Sequence, residues 1–507
     1  MFSVRRISAS LAHVVQSAIR DAYTWSYQPL TQDALLSSNA SRKGILSLGL
    51  RSRLSKLFAC TAAVLCVLAA FVYSRGDGIL SNTSSLGPSR TDISKDQFIA
   101  AILREPVEGV LDPDPIRKKC DETKFQDGLV WHCAAGNGGI GNEANMWLNC
   151  VRYAIEAGAT TLILPRLGAR SDNLLDLGGE AKSVELSYLF DVSYFLDSWK
   201  VVCPQIRAVV SESEVPNLPS SADSPHLSPS NVKNFEMRKY LIVDPTGWRE
   251  AFDAWLAKNA AVDTMSAEKP VRVYQNLVLA QWNREAHPLE FANSFPRLFR
   301  YPVQTRRLAA SALWSLEKKL SCPVVADAIV LSSGSSPSSR VSSLGPHRLA
   351  TNTFMGVHLR VSADAAAAGW PGYEAQAPFY IAEAKRLNLT TIYLATGSPE
   401  HRERFREDAA LNGLDVIVKE DLFNEEEVAE LQSLTWDQQA LVDFDVLMHS
   451  SFFYGFVRSS FTWSLALRRG ILPESGTSGV TKEDEYRDSL SAIVGRYDSI
   501  NPEGLWP

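Results

Sequence analysis

The chain lacks an excess of positive charge, which argues against nucleic acid as its main partner. Its 507 residues carry 51 Lys and Arg against 57 Asp and Glu, a net charge of −6. It also lacks a C-x-x-C pair and a His-rich cluster, so no sequence motif suggests a metal site. What it does have is 45 % hydrophobic residues, over a length that accommodates two or three domains with real cores.

Uncharged apolar runs are scarce, but one covers Leu57 to Tyr73, directly after a basic stretch at 1–56. Its 17 residues are close to the minimum for a membrane-spanning helix. A cleaved signal peptide fits less well because the run begins far from the N-terminus, and a buried helix of a soluble domain is the other alternative. The charge bias predicts a single-pass type II protein with a luminal C-terminal part. The short span favours the thin membranes of the Golgi or ER.

Seven cysteines fit this division of the chain. Cys60 and Cys66 lie in the apolar run, and five remain for the lumen: Cys120, Cys133, Cys150, Cys203 and Cys322. An oxidising lumen would permit two disulfides and one free thiol, although spacing does not reveal the pairing.

Composition divides the chain into five predicted parts. They are a basic cytosolic tail at 1–56, a transmembrane anchor at 57–73, a stem rich in Ser, Gly, Asp and Pro at 74–115, an N-terminal domain at 116–350 and a C-terminal domain at 351–507. Two Ser/Pro-rich stretches, Ser211 to Asn231 and Ser332 to Pro346, are predicted to be disordered surface loops.

Hydrophobic periodicity predicts an α/β fold with two parallel sheets. In the first part, a strand at Leu129–Cys133 precedes a Gly-rich turn, a helix that stops at Gly158, and a strand at Thr161–Leu164. In the second part, strands are predicted at 354–360, 391–396, 415–418 and 452–456, and helices at 379–387, 399–411, 436–450 and 459–470.

The Gly-rich turn from Gly136 to Gly141 satisfies G-x-G-x-x-G between a strand and a helix, which is the dinucleotide fingerprint. An NAD-dependent oxidoreductase would be expected to carry an acidic residue after the next strand, where this chain has Leu164-Pro165-Arg166. The alternative is that these glycines serve only a tight turn and close helix packing.

Two further segments are typical of anion binding. Alternation along a strand places His358 and Arg360 on one face near its C-terminal edge, where a guanidinium suits a diphosphate. An ion pair with Asp364 for structure alone is the alternative. Arg458-Ser459-Ser460-Phe461 opens a helix, whose free N–H groups favour phosphate, although the serines could also serve only as caps.

Asp443-Phe444-Asp445 resembles the D-x-D motif with which many glycosyltransferases hold a metal and a nucleotide sugar. Here it falls inside a predicted helix, where positions i and i+2 point in nearly opposite directions. The two carboxylates are therefore predicted not to share a metal ion.

Together, G-G-I-G-N-E, H-L-R-V-S-A-D, V-D-F-D and R-S-S-F resemble the GDP-fucose protein O-fucosyltransferase superfamily. The resemblance covers about 130–165, 354–364 and 391–470. It implies a GT-B fold, with two Rossmann-like domains facing each other across a cleft. It also implies an inverting fucosyltransferase that works without a metal or other cofactor. The implied partners are GDP-fucose as donor and a hydroxyl acceptor on a protein Ser/Thr or a glycan.

The resemblance also implies roles for individual residues. Arg360 matches the catalytic arginine that contacts the nucleotide diphosphate, and Glu143 is the candidate base for the acceptor hydroxyl. The remaining positions implied to bind GDP-fucose are Gly139, Gly141, Asn142, His358, Asp364, Asp443, Ser459, Ser460 and Phe461. The chain departs from the family at Gly397, where relatives usually carry Asp, and at Glu143, where Gln is frequent. A non-catalytic binding protein of the same fold and an oxidoreductase are the alternative functions.

Overall fold

The computed structural model describes the chain from Ile93 onward with gaps, namely 93–136, 138–170, 182–228, 231–232, 235–238, 241–275, 281–326, 349–470, 480–482, 485–495 and 501–506. The basic tail, the predicted anchor at 57–73 and the stretch Ser332 to Pro346 lie outside these residues. Within them, no helix combines the length and the apolar character needed to cross a membrane.

Helices and strands alternate along most of the described chain. The helices are α1 Lys95–Arg104, α2 Asp114–Asp121, α3 Ile140–Ala157, α4 Val192–Val202, α5 Trp248–Asn259, α6 Leu289–Ser294, α7 Val303–Leu320, α8 Ala363–Ala367, α9 Ala377–Arg386, α10 Pro399–Ala410, α11 Glu425–Ser433, α12 Trp436–Met448 and α13 Ser460–Arg469. The strands of the two larger sheets are β1 Gln126–Cys133, β2 Ala159–Ile163, β5 Arg207–Val209, β6 His226–Leu227, β9 Val271–Gln275, β11 Met355–His358, β12 Thr391–Ala395, β13 Asp415–Ile417, β14 Phe452–Phe456, β15 Val480–Lys482, β16 Glu485–Arg487 and β17 Ser491–Val494. Two small sheets contain β3 Leu167–Ala169, β4 Lys182–Val184, β7 Met237–Arg238, β8 Leu241–Ile242 and β10 Gln281–Trp282.

The N-terminal sheet is parallel throughout, in the order β5-β2-β1-β9-β6. Its first strand leads through the Gly-rich turn into α3, which ends where Gly158 adopts a left-handed conformation with φ 68°. A disulfide between Cys133 and Cys150 ties the end of β1 to α3, and a second joins Cys120 to Cys203. The Cys133–Cys150 disulfide thus connects the strand before the Gly-rich turn to the helix after it.

The C-terminal sheet has the order β13-β12-β11-β14-β17-β16-β15 and is parallel from β13 to β17. Strands β15 and β16 extend it in antiparallel fashion. Because β11 and β14 are parallel neighbours, their carboxyl ends lie at the same edge. This register brings His358 against the start of α13, where it contacts Phe461 and Thr462.

The predicted α/β class and the two mainly parallel sheets are confirmed, and two expectations need correction. Ser211 to Asn231 is not wholly a disordered loop, because His226–Leu227 pairs with β9 at the sheet edge and Leu227 is buried. The end of the predicted stem includes α1, whose Phe98 ring packs against Trp314 of α7 at 5.3 Å. An apolar face buried on α7 stabilises α1 in spite of its polar flanks.

Candidate active site

Arg360 lies two residues beyond the end of β11, and its side chain is largely buried. Its guanidinium donates to both oxygens of Asp364, with Nη1 to Oδ1 at 2.8 Å and Nη2 to Oδ2 at 2.5 Å, and Nη1 also donates to Ser362. Burial lowers the pKa of Arg360 and the Asp364 carboxylate opposes this shift. The ion pair expected as an alternative from the sequence is therefore present, and it holds the guanidinium in one orientation.

The backbone and the guanidinium plane of Arg360 are also fixed. The Gln376 side chain is fully buried; it accepts from the Arg360 N–H at 3.1 Å and donates to the Arg360 carbonyl at 3.0 Å. The guanidinium lies 5.5 Å from the centre of the Trp370 ring. These contacts preorganise the cation before any ligand arrives.

Asp364 is shared with a second arginine from the N-terminal sheet region. Arg170, which follows β3, donates from Nη2 to Asp364 Oδ2 at 2.5 Å and lies 5.2 Å from the Trp436 ring. Burial alone would raise the pKa of Asp364, but hydrogen bonds and charge from Arg170 and Arg360 outweigh it and lower the pKa to about 2. One permanently ionised carboxylate thus joins the two parts of the molecule at Arg360.

His358 is the inner neighbour of Arg360 on β11. Its Nδ1 shares a hydrogen bond with Thr462 Oγ1 at 2.9 Å, and its ring lies 4.5 Å from that of Phe461. Burial and the adjacent Arg360 lower the pKa of His358 to about 3. The imidazole is therefore neutral at physiological pH and adds no charge to the site.

The start of α13 forms the neighbouring wall. Ser459 occupies the N-cap position, but its side chain makes no capping hydrogen bond. Simple capping therefore does not explain this serine, and the first N–H groups of the helix remain suited to an anion. A Cβ on Gly141 would lie 2.3 Å from the Ser460 carbonyl oxygen, so only glycine lets α3 approach α13 this closely.

The Gly-rich turn faces the same region. Gly138 has φ +106°, a Cβ on Gly139 would meet no atom within 4 Å, and the Asn142 side chain is exposed. The turn thus leaves open space beside the two helix starts.

Glu143 lies buried at the base of this turn, with 1 % of its surface exposed. Its carboxylate occupies the position that a Cβ of Gly136 would take, at 1.7 Å from Oε2, so glycine is needed there. Burial, followed by the charge of Asp437, raises the pKa of Glu143 to about 8. Burial likewise raises the pKa of Asp437 to about 6, against the lowering effect of Arg170. Among the described residues, Glu143 Oε1 and Asp437 Oδ1 have no hydrogen-bond partner.

The two carboxylates of the D-x-D sequence diverge, as the helix geometry predicts. Asp443 accepts from Lys419 Nζ and Tyr393 Oη, both at 2.7 Å, whereas Asp445 lines a separate cavity of about 40 Å³ with Arg306 and Arg468. Both oxygens of Asp443 are engaged in this buried pair, so its role in donor binding stays a prediction.

A comparison of the sequence with known families decides the class. The sequence model described as GDP-fucose protein O-fucosyltransferase matches residues 130–472, well over half of the chain. The chain belongs to this family. The match includes the region from 170 to 350 that the resemblance of individual motifs left unplaced. As a member, the chain is a glycosyltransferase-family enzyme, and this outweighs the oxidoreductase alternative.

Solved structures match the chain only at low sequence identity and with low TM-scores. POFUT1 in complex with GDP-fucose is 13 % identical, covers 74 % of this chain and 99 % of its own, and has a TM-score of 0.41. POFUT1 in complex with GDP is 12 % identical, covers 74 % and 100 %, and has a TM-score of 0.39. An Arabidopsis thaliana FUT1 mutant in complex with GDP is 13 % identical, covers 78 % and 82 %, and has a TM-score of 0.30. No curated protein sequence is significantly similar to the chain.

The departure from the family at Gly397 has a local explanation. A Cβ at this position would lie 2.9 Å from the Trp436 ring, which fills the space that a larger side chain would need. Trp436 in turn contacts Arg170. Glycine at position 397 thus leaves room for Trp436, the residue that contacts Arg170.

Sequence reasoning missed Arg170, Gln376, Trp436 and Asp437. A weak signal existed only for Asp437, an acidic residue in the first turn of a capped helix. Arg170, Gln376 and Trp436 reach the site through the packing of distant segments, which no local sequence pattern predicts.

Proposed function

We propose that this family member transfers fucose from GDP-fucose to a hydroxyl of a protein Ser/Thr or a glycan, with inversion of configuration and without a metal ion. The arrangement that carries the proposal is the preorganised Arg360 at one edge of a parallel sheet, two residues after His358, which contacts the uncapped start of α13. This edge is where open α/β folds bind ligands.

The predicted role of Arg360 is to stabilise the leaving GDP. As the glycosidic bond breaks, positive charge grows on the sugar ring and negative charge on the diphosphate. A guanidinium held by Asp364, together with N–H groups at Ser460 and Phe461, meets that charge without reorganising. His358 is neutral and packs on Phe461, so it would contribute contact and a hydrogen bond rather than charge.

Glu143 remains the candidate base for the acceptor hydroxyl. It is buried beside the open turn, and its pKa of about 8 makes its ionised form a better proton acceptor than an ordinary carboxylate. Asn142, exposed at the same turn, would contact the sugar nucleotide or the acceptor. Gly139 borders open space for a ligand, whereas Gly141 would contribute by allowing α3 to meet α13.

The finer organisation belongs to the same proposal. Two Rossmann-like domains at 116–350 and 351–507 would form a GT-B arrangement, with the anchor at 57–73 holding them in the lumen of the Golgi or ER. The two disulfides support a compartment of the secretory pathway, where such bonds persist.

The test is the release of GDP from GDP-fucose by the purified full-length chain, measured for wild type, Arg360→Ala and Arg166→Gln. Arg166 is a half-exposed arginine paired with Glu185, outside the site, and serves as the matched control. We expect Arg360→Ala to lower turnover by ~100-fold or more, because it removes a preorganised donor to the leaving group. Normal turnover in a folded Arg360→Ala variant would exclude the assigned role, and no turnover by wild type would favour a non-catalytic binding protein.

A further inference from the structure

Arg170 reaches the candidate donor site from the opposite part of the molecule. It follows β3 in the N-terminal part, yet its guanidinium bonds a carboxylate of α8, 194 residues later in the chain. The side chains of Arg170, Arg360 and Asp364 are 13 %, 14 % and 6 % exposed, so the three groups form a nearly dry cluster.

The two arginines are arranged alike around this carboxylate. Asp364 Oδ2 accepts from Nη2 of Arg170 and from Nη2 of Arg360, each at 2.5 Å. Each guanidinium also lies over a tryptophan, Arg170 at 5.2 Å from Trp436 and Arg360 at 5.5 Å from Trp370. The carboxylate fixes the spacing of the cations, and the rings restrict the tilt of their planes.

The Arg170 guanidinium has N–H groups that are available for a ligand. Among the described residues, only Nη2 of its guanidinium has a hydrogen-bond partner, and Nε of Arg360 has none. The other nearby carboxylate, Asp437, accepts a hydrogen bond from the backbone N–H of Arg170 at 3.4 Å and interacts with its guanidinium only through charge. These unpartnered N–H groups keep contact with solvent, so an oxyanion with several oxygens can reach them and accept their hydrogen bonds.

We propose that Arg170 is a second ligand of the donor diphosphate, supplied by the N-terminal part, so that the phosphates are held between two guanidiniums fixed by Asp364. This inference rests on the proposed function. A diphosphate offers oxygens to both cations at once, whereas a neutral sugar or base does not. Because the leaving GDP carries more charge than the bound donor, Arg170 would also stabilise the transition state.

The experiment is calorimetric titration of the full-length chain with GDP, inorganic pyrophosphate and guanosine. The variants are Arg170→Gln and Arg170→Lys, with Arg166→Gln as the control from the same segment. We expect Arg170→Gln to weaken GDP and pyrophosphate by roughly 10-fold or more, the size of one charged hydrogen bond, and to leave guanosine within about twofold. Arg170→Lys should be intermediate, because it keeps the charge but loses the planar fork.

Three outcomes separate this inference from the proposed function. Unchanged GDP and pyrophosphate affinity in Arg170→Gln, or an equal loss for guanosine, overturns the role of Arg170 and leaves the proposed function standing. Binding of pyrophosphate that depends on Arg170, without binding of GDP, supports the arginine pair and overturns the proposed donor. A wild-type chain that binds neither GDP nor pyrophosphate overturns both.

Discussion

Glu143 illustrates how burial sets the chemistry of one residue. With a pKa of about 8, raised by burial and by Asp437, most of this carboxyl group is protonated at pH 7 and only the ionised fraction can accept a proton. The Gly136 backbone leaves room for the carboxylate, and a Cβ there would fill its place. Because Gly136 has no Cβ, the Glu143 carboxylate fits into this buried position, where its pKa suits proton transfer near neutral pH.

If Glu143 is the base, kcat/KM for fucosyl transfer should rise with pH. The ionised fraction increases about 10-fold per pH unit well below pH 8 and levels off above it, and kcat/KM reports groups of the free enzyme. A pH–rate series from 5.5 to 9 on wild type and Glu143→Gln checks this. A Glu143→Gln variant with the same rising profile and the same rate would assign the proton transfer to another group.

At the scale of elements, removing each of the two disulfides is expected to lower stability and turnover by different amounts. Cys133–Cys150 joins the strand and the helix on either side of the Gly-rich turn over a separation of 17 residues, whereas Cys120–Cys203 joins α2 to the end of α4 over 83 residues. In the chain-entropy treatment, removing the first lowers the free energy of unfolding by about 3 kcal/mol, and removing the second by about 1 kcal/mol more. Turnover should follow the opposite order, because the first bridge positions the α3 start.

Denaturant unfolding and GDP release, measured on Cys133→Ala/Cys150→Ala and on Cys120→Ala/Cys203→Ala, compare the two effects. A larger loss of turnover in the second variant, at temperatures where both remain folded, would contradict the positioning role of the first bridge.

The elements that the sequence predicted well share strong local signals. Strand β14 was predicted with its observed bounds because a short apolar run is enclosed by polar residues, and α3 ends at Gly158 as predicted. Strands β6, β7, β8 and β10 have two residues each, too few for any alternation to appear. Their positions depend on pairing partners that lie far away in the sequence.

The candidate site divides in the same way. His358 ends strand β11, Arg360 and Ser459 follow strands, and a strand end is readable from the sequence. The contact of Arg170 with Asp364 joins residues 194 positions apart, so it follows only from the packing of the two sheets. The same holds for the pKa of Glu143, which depends on burial and on a carboxylate from α12.

For the whole molecule, buried titratable groups predict a stability maximum near pH 6.5. Burial lowers the pKa of four histidines to about 4, 2, 3 and 3, namely His132, His287, His358 and His449. The unfolded chain binds protons at these groups below pH 6.5 and the folded chain does not, so stability falls as the pH drops.

On the alkaline side, burial raises the pKa values of Asp445 and Glu143 to about 7 and 8. Here the folded chain holds protons that the unfolded chain has lost, so stability also falls as the pH rises from 6.5 to 8. Urea unfolding across pH 5 to 8.5 should show the maximum, and Asp445→Asn, which lies outside the donor site, should flatten the alkaline side. A stability that keeps rising to pH 8 in wild type would show that these carboxyl groups are ionised in the folded protein.

The most direct test of a GDP-fucose site between two arginines is a thermal-shift panel on the full-length chain with GDP, GDP-fucose, a UDP-sugar and NAD, without added metal. Ligands that bind only the folded state raise the melting temperature, and the increase grows with the logarithm of the ligand concentration above Kd. The proposed function predicts an increase with GDP and GDP-fucose, and none with the UDP-sugar or NAD. An increase with NAD alone, or with no nucleotide of the panel, would contradict it.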